Sequence, residues 1–390
     1  MNPDVTASRT GASGPEGPPA RPLDSVLFPV ALGMTNVGFY VACIGVVLVV
    51  LAGDLGLPVE QLAWFGSTFG YGLLVIALAG PILLRLGAGR VLALAAAFLG
   101  AGSLLLAVSS SAVLAYTGAV LQGLGAAGIV LVAPRMLHGP KAEAKLTMVN
   151  AAGSVAGISA PLLLGGAVRL SLGGRLPLLL ITACMVALVV AALRIGPVEA
   201  AQVVVTSERE PLVRSVAVRR WLALVCSVSV EFSFVVWGVA RLTSTGMDAG
   251  WAAVVGAAFP AGMALGRLVG GRLIARLPMV LVGASLGAVG TLLVVLSTVW
   301  PLVGLGQFVA GFGIATLYPI TLARLMATPG LRPELGASLG ALGSGTAITL
   351  APMALAGLAL VVDLRVAFLV PLPVLALLLW LHHERRPAVG

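Results

Sequence analysis

The chain has 390 residues, of which 59% are hydrophobic and only 9% are charged, and its formal net charge is +9. A soluble domain has roughly half apolar and about a quarter charged residues, so this composition excludes a soluble globular protein. Unbroken apolar runs such as residues 41–52 and 176–193 predict membrane-spanning helices, because the strands of a transmembrane barrel would alternate apolar and polar residues.

Residues 1–25 are rich in Pro, Gly and Ser and contain no apolar run, which predicts a disordered cytoplasmic tail and not a signal peptide. The remaining chain has room for twelve spans of about 20 to 25 residues. We place these spans at residues 26–52, 61–84, 90–109, 112–137, 144–168, 173–194, 218–242, 249–271, 278–299, 301–326, 335–361 and 363–382. A charged linker, 196–216, separates an N-terminal bundle, 26–195, from a C-terminal bundle, 217–383, and a short cytoplasmic tail, 384–390, follows.

The distribution of Lys and Arg predicts the orientation of the chain. With both termini in the cytoplasm, 18 of the 23 Lys and Arg residues fall in tails and cytoplasmic loops, as the positive-inside rule requires. Arg267 lies within a span, and the outer side carries Arg169, Arg175, Arg241 and Arg365. Because the cytoplasmic charges face anionic lipid, we expect a multi-pass protein of the cytoplasmic membrane, with lipid and no nucleic acid as a partner.

The cysteines and histidines predict neither a metal site nor a disulfide framework. They lie far apart in apolar runs, at helix ends or in the tail: Cys43, Cys184, Cys226, His138, His382 and His383. The glycine-rich stretches lack the Lys-Ser/Thr pair that follows a phosphate-binding loop. We therefore expect no cofactor and no ATP-driven mechanism.

Two matches between the halves predict an internal repeat. The segment GPILLR that begins at Gly80, after the second span, resembles the segment GRLIAR that begins at Gly271, after the eighth, at an offset of 191 residues. Gln122 in the fourth span and Gln307 in the tenth are each followed, at identical spacing, by a Gly-Ile pair and a proline. Both matches join equivalent helices of two six-helix halves.

Twelve spans, a six-plus-six repeat, a charged linker and this glycine-arginine turn resemble the major facilitator superfamily of secondary transporters, over nearly the whole chain after the tail. The cytoplasmic signature of that family, G-x-L-x-D-R-x-G-R-R/K, is matched by Gly80, Ile82, Arg85, Gly87 and Arg90. Leu84 stands where the signature has aspartate, so the charge lock that the motif normally makes is not expected here.

The resemblance implies an all-α integral membrane protein with twelve transmembrane helices in two pseudo-symmetric six-helix bundles. It also implies a cytoplasmic gate, for which the candidates are Gly80, Arg85, Gly87, Arg90, Arg135, Gly271 and Arg276. The family's antiporter signature, G-x-x-x-G-P-x-x-G-G, is approximated in the fifth span by Gly157, Pro161, Gly165 and Gly166, out of register by one residue on each side of the proline. This approximation favours export.

Glu231 is the only carboxylate deep inside a predicted span. An ionised carboxylate at the bilayer centre costs about 2.5 to 3.5 kcal/mol or more, so it must be paired, hydrated or protonated. We expect it to load and release the proton that drives transport; the alternative is a neutral carboxyl with a structural hydrogen bond. Ser227, Glu231, Phe234 and Gly238 share one face of the seventh span, which suits a cavity wall.

Other polar residues within spans are candidates for a substrate cavity. Arg267 lies about one turn from the cytoplasmic end of the eighth span, where it either extends to the interface or reaches Glu231 or an anionic substrate. The expected cavity residues are Asn36, Tyr40, Gln122, Ser227, Phe234, Trp237, Arg267 and Gln307, with Asn150 and Ser154 as weaker candidates. For the amides and the phenol, the alternative is hydrogen bonding between helices.

These features predict a secondary active transporter that moves a small, largely apolar organic molecule, such as a drug or metabolite, by alternating access. We expect proton-coupled export by a monomer, with the small molecule and protons as partners. The alternatives are a proton-coupled symporter for import, a non-transporting sensor, and a membrane-embedded enzyme. The polar segments are too short for a signalling domain and the polar residues too scattered for a catalytic cluster, so we expect no enzymatic activity.

The predicted orientation can be tested with reporter fusions. A reporter fused after Arg386 and one inserted near Arg209 should both be cytoplasmic, whereas one inserted near Asp54 should lie outside, because the Lys and Arg residues cluster on the cytoplasmic side. A C-terminal fusion on the outer side would contradict either the number of spans or the orientation.

Overall fold

The computed structural model describes residues 23–137, 142–195, 212–273 and 276–383. Most of the expected N-terminal tail (1–22), most of the expected linker (196–211) and the expected C-terminal tail (384–390) lie outside the described residues. The predicted boundaries of these segments therefore stay predictions. The described residues form α-helices joined by short turns.

Within the described residues, six α-helices make up the N-terminal half. They are α1 (Leu23–Leu55), α2 (Ala63–Leu83), α3 (Ala88–Val108), α4 (Ala112–Met136), α5 (Ala142–Arg169) and α6 (Leu178–Leu193). The described part of the C-terminal half forms nine α-helices: α7 (Arg214–Thr243), α8 (Ala249–Gly256), α9 (Ala258–Leu273), α10 (Met279–Leu296), α11 (Trp300–Ile314), α12 (Leu317–Met326), α13 (Pro333–Ala359), α14 (Leu364–Ala367) and α15 (Pro371–His382).

The described part of the chain contains eleven helical segments that are long and apolar enough to cross a membrane. The shorter apolar helix α6, with 16 residues, occupies the place of the sixth predicted span. The predicted fold class is thus confirmed: the protein is an all-α, multi-pass membrane protein with twelve spans in two six-helix bundles. We call the side on which α1 begins and α15 ends the terminal side, and the opposite side the far side.

Three spans of the C-terminal half are interrupted, which the hydropathy of the sequence did not predict. Each helix before the break ends four or five residues before a proline: α8 ends at Gly256 before Pro260, α11 ends at Ile314 before Pro319, and α14 ends at Ala367 before Pro371. Proline has no N–H to bond to the carbonyl four residues earlier, and its ring clashes with that carbonyl. The breaks at Pro260 and Pro319 lie in the wall of the cavity described below.

Close contacts between glycines repeat in the two halves. A Cβ on Gly102 of α3 would overlap the carbonyl of Gly118 in α4, and a Cβ on Gly290 of α10 would lie 2.5 Å from the carbonyl of Gly306 in α11. The offset between these pairs is 188 residues. The packing register therefore places Ala310, and not Gln307, at the position equivalent to Gln122. The glutamine match in the sequence is out of register by three residues, or nearly one turn.

The first sequence match agrees with the packing. Gly123 of α4 approaches the carbonyl of Thr68 in α2, and Gly311 of α11 approaches the carbonyl of Phe259 in α9. The second and eighth spans are thus related by 191 residues, the offset at which GPILLR and GRLIAR were aligned. The internal repeat is consequently present in the packing of both halves, with a different offset for different helix pairs.

All four far-side arginines contact neighbouring groups. Arg175 donates hydrogen bonds to the carbonyls of Leu106 and Ser109 at the end of α3, while Arg241 and Arg365 donate to carbonyls at the end of α10. The fourth, Arg169, stacks over the ring of Trp251 at 4.1 Å. Helix ends leave carbonyls without intrahelical partners, so Arg175, Arg241 and Arg365 stabilise the far-side ends of α3 and α10.

The glycine contacts predict a strong dependence on side-chain size. Gly102→Ala should lower the melting temperature of the detergent-purified protein by several degrees, because the added methyl group meets backbone and overpacking costs about 1 to 3 kcal/mol. Gly166→Ala in α5 is the matched control, since nothing lies within 4 Å of its added Cβ. Equal melting temperatures for the two variants would contradict this account of the packing.

Candidate functional site

The two halves contact each other mainly in the far-side parts of their helices. A Cβ on Gly45 of α1 would lie 2.5 Å from the carbonyl of Val235 in α7. In α2, Ser67 Oγ donates a 2.8 Å hydrogen bond to the carbonyl of Thr349 in α13. A Cβ on Gly165 of α5 would lie 2.6 Å from the carbonyl of Gly250 in α8. Together with the stacking of Arg169 on Trp251, these contacts close the far side.

A cavity of about 680 Å³ lies between the halves. Its wall is formed by α1 and α5 of the first half and by α7, α9, α11 and α12 of the second, with Gly256 at the end of α8. It extends from Pro161 and Val239, toward the far side, to Thr147 and Leu268, toward the terminal side. Most of its lining residues are apolar. Volume and lining are both typical of small-molecule sites.

Glu231 and Arg267 are the charged residues among those that line the cavity. Glu231 Oε1 on α7 lies 3.8 Å from Arg267 Nη2 on α9, and both side chains are partly exposed. Arg267 Nη1 also donates a 3.1 Å hydrogen bond to Ser154 Oγ on α5. Of the two positions considered for Arg267, the structure therefore has the one that reaches Glu231. The guanidinium contacts both halves of the protein at once.

Ser154 and four further polar residues line the same cavity. Gln307 on α11 donates from Nε2 to the carbonyl of Gly238 at 2.8 Å. Tyr318, Asn150 and Thr147 contribute a phenol, an amide and a hydroxyl. Sequence reasoning missed Tyr318 and Thr147. The proline that follows Tyr318 and breaks the tenth span is the signal that could have drawn attention to Tyr318.

Phe234 also lies in the cavity wall, whereas the other five predicted cavity residues lie outside it: Asn36, Tyr40, Gln122, Ser227 and Trp237. Their polar atoms or rings contact neighbouring helices or their own. Asn36 donates to the carbonyl of Leu32, Gln122 to Ser103 Oγ, and Trp237 to the carbonyl of Pro352. Ser227 lies 3.0 Å from Thr321 Oγ1, and Tyr40 packs edge-on against Phe69.

The predicted gate residues lie on the terminal side. Leu84–Leu86 forms a single 3-10 turn, and Gly87, with φ of 91°, ends it. This left-handed region of φ favours glycine because a Cβ would be strained there. The side chains of Arg85, Arg90, Arg135 and Arg276 are exposed, and Gly80 and Gly271 lie within α2 and α9.

Comparison with known proteins identifies the family. The sequence matches the family model of the Major Facilitator Superfamily over residues 30–278. The chain belongs to the Major Facilitator Superfamily. Comparison with curated proteins gives no match. The proteins of this superfamily are generally not enzymes, and within the described residues no group of three or more His, Cys, Asp or Glu could hold a metal ion.

Solved structures share the fold at low sequence identity. The nucleoside transporter NupG is 12% identical, with a TM-score of 0.71 over 93% of this chain and 99% of that chain. A POT family transporter in complex with 5-aminolevulinic acid is also 12% identical, with a TM-score of 0.71 over 92% and 96%. The human organic anion transporter MFSD10 is 18% identical, with a TM-score of 0.63 over 92% and 99%. The chain therefore has the transporter fold of this superfamily.

Proposed function

We propose that this protein is a secondary active transporter that exports a small, largely apolar organic molecule across the cytoplasmic membrane in exchange for protons. The observation that carries the proposal is the cavity between the halves, whose mainly apolar wall contains the Glu231 and Arg267 pair. A site of this kind binds cargo chiefly by burying apolar surface, and a few polar groups orient it.

The arrangement of the contacts supports alternating access. The far side is closed by Gly165 against Gly250 and by Arg169 against Trp251, whereas the cavity reaches Thr147 and Leu268 toward the terminal side. We assign the terminal side to the cytoplasm, because the Lys and Arg residues cluster there. On this assignment the cavity faces the cytoplasm, the side from which an exporter loads. Rocking of the two halves would then move the opening to the outside.

The charged pair supports coupling to protons. Ionised Glu231 attracts Arg267, which in turn contacts Ser154 in the other half. When a proton binds to the Glu231 carboxylate from the outside, the acid becomes neutral and the attraction to Arg267 is lost. Release of that proton toward the cytoplasm restores the pair. The proton therefore changes a contact that lies at the seam along which the halves must move.

The structural neighbours differ in the molecules that they bind or transport, so they assign no cargo to this chain. One neighbour is a nucleoside transporter, one was solved with 5-aminolevulinic acid, and one is an organic anion transporter. Nucleosides and amino acids are polar molecules, whereas most residues of this wall are apolar. The apolar lining instead favours drugs or metabolites with few polar groups.

Substitution of Glu231 tests the coupling. Glu231→Gln keeps the size of the side chain and mimics the protonated acid, so proton-driven flux should be abolished in proteoliposomes while exchange of cargo without a gradient persists. The cargo is a compound selected by thermal shift, since a binder stabilises the folded protein. Glu60→Gln, in the turn that precedes α2, is the matched control and should retain coupled flux.

An unchanged pH dependence of flux in Glu231→Gln would exclude this residue as the coupling group. Flux that follows the proton gradient in the same direction as the proton would replace the antiporter with a symporter. A variant that loses both coupled flux and exchange, with an unchanged melting temperature, would assign Glu231 to cargo binding and not to proton coupling.

A further inference from the structure

Gln307 carries a buried hydrogen-bond acceptor without a partner. Its side chain is fully buried in the cavity wall, and Nε2 donates to the carbonyl of Gly238 at 2.8 Å. Its Oε1 has no hydrogen-bond partner among the residues that the structure describes. A buried acceptor that has lost its hydrogen bond to water without gaining a protein donor is unfavourable. This oxygen is therefore a candidate to accept a hydrogen bond from a ligand.

The carbonyl of Gly238 determines which end of the amide is left over. A carbonyl only accepts hydrogen bonds, so it must face the NH₂ group of Gln307, and the remaining atom is the acceptor Oε1. Gly238 itself leaves this amide uncovered. A Cβ at position 238 would lie 3.4 Å from both Oε1 and Nε2, and glycine has no such atom.

The other half of the protein shows that this arrangement does not follow from the repeat. Gln122 in α4 donates to Ser103 Oγ on α3 and lies outside the cavity. The equivalent of Ser103 at the offset of 188 residues is Thr291, which bonds to the carbonyl of Gly287 in its own helix. Gln307 lies three residues earlier in the packing register than the equivalent of Gln122. Its amide therefore contacts Gly238 of α7, and the residue lines the cavity.

We propose that Gln307 Oε1 accepts a hydrogen bond from an N–H or O–H group of the cargo, which makes Gln307 a specificity-determining residue. This inference rests on the proposed function, because it assumes that cargo enters this cavity. The cargo class becomes narrower: a small, largely apolar molecule with at least one hydrogen-bond donor. An analogue without the donor leaves Oε1 unpaired in the complex and should be rejected.

The test uses matched compounds and the purified full-length chain. Three pairs serve as probes: indole and 1-methylindole, carbazole and N-methylcarbazole, and 2-naphthol and 2-methoxynaphthalene. Each pair differs by a methyl group in place of the donor hydrogen. Thermal shift titrations should show that at least one donor-bearing compound binds the unmodified protein about tenfold more tightly than its methylated partner.

Two variants test whether the preference for donor-bearing compounds depends on Gln307 Oε1. Gln307→Leu removes the acceptor, so the ratio of the dissociation constants of the methylated and the donor-bearing compound should fall to about one. Gly238→Ala is a second variant, because its methyl group covers the amide at an ordinary contact distance of 3.4 Å and is compatible with folding; it should also reduce the preference. Gln122→Leu is the matched control, which removes an equally buried amide outside the cavity and should leave the preference unchanged.

Two results would overturn the inference. One is a panel in which no donor-bearing compound binds more tightly than its methylated partner; the other is a preference that survives in both Gln307→Leu and Gly238→Ala. Failure of the proposed transport function would give a different result from failure of the inference about Gln307. Proteoliposomes that bind with donor preference but show no proton-driven flux would contradict the transport proposal alone, whereas equal proton-driven flux of both members of each pair would contradict the inference alone.

Discussion

The cost of placing charge in a hydrocarbon layer is the constraint on which this structure depends. Almost every charged residue lies at a helix end, and the far-side arginines that remain are held by carbonyls at helix ends or by an aromatic ring. Glu231 and Arg267 are the exceptions, and they lie together at the seam between the halves. Their pairing offsets part of the cost of burial. In the proposed mechanism, this pairing also makes the seam sensitive to the protonation state of the Glu231 carboxyl.

Much of the fold was predictable because hydropathy reflects the membrane directly. Twelve apolar segments separated by short polar turns predict twelve spans, and the residue 80 and 271 segments predict the repeat at the offset found in the packing. The breaks in three spans were not predicted, although Pro260, Pro319 and Pro371 mark them. Hydropathy counts proline by its polarity and contains no information on the N–H that proline lacks.

The candidate site was predicted where burial of charge decides the position and missed where packing decides it. Glu231 and Arg267 lie in the cavity because ionisable groups must meet partners or water. Asn36, Tyr40 and Trp237 are also polar residues within spans, but they contact their own or neighbouring helices and lie outside the wall. The rotation of a helix about its axis decides between these outcomes, and a three-residue difference in register separates Gln122 from Gln307.

The most direct test of the central claim, that protonation of Glu231 moves the two halves, is a measurement of distances across the seam as pH changes. Spin labels at Leu172 and Val299 report on the far side, and labels at Leu86 and Leu277 report on the terminal side, in a background without Cys43, Cys184 and Cys226. All four labelled positions are exposed. We predict that acidification shifts the two distance distributions in opposite directions and that Glu231→Gln removes the pH dependence. Distances that stay constant with pH, or that keep their pH dependence in Glu231→Gln, would contradict the account.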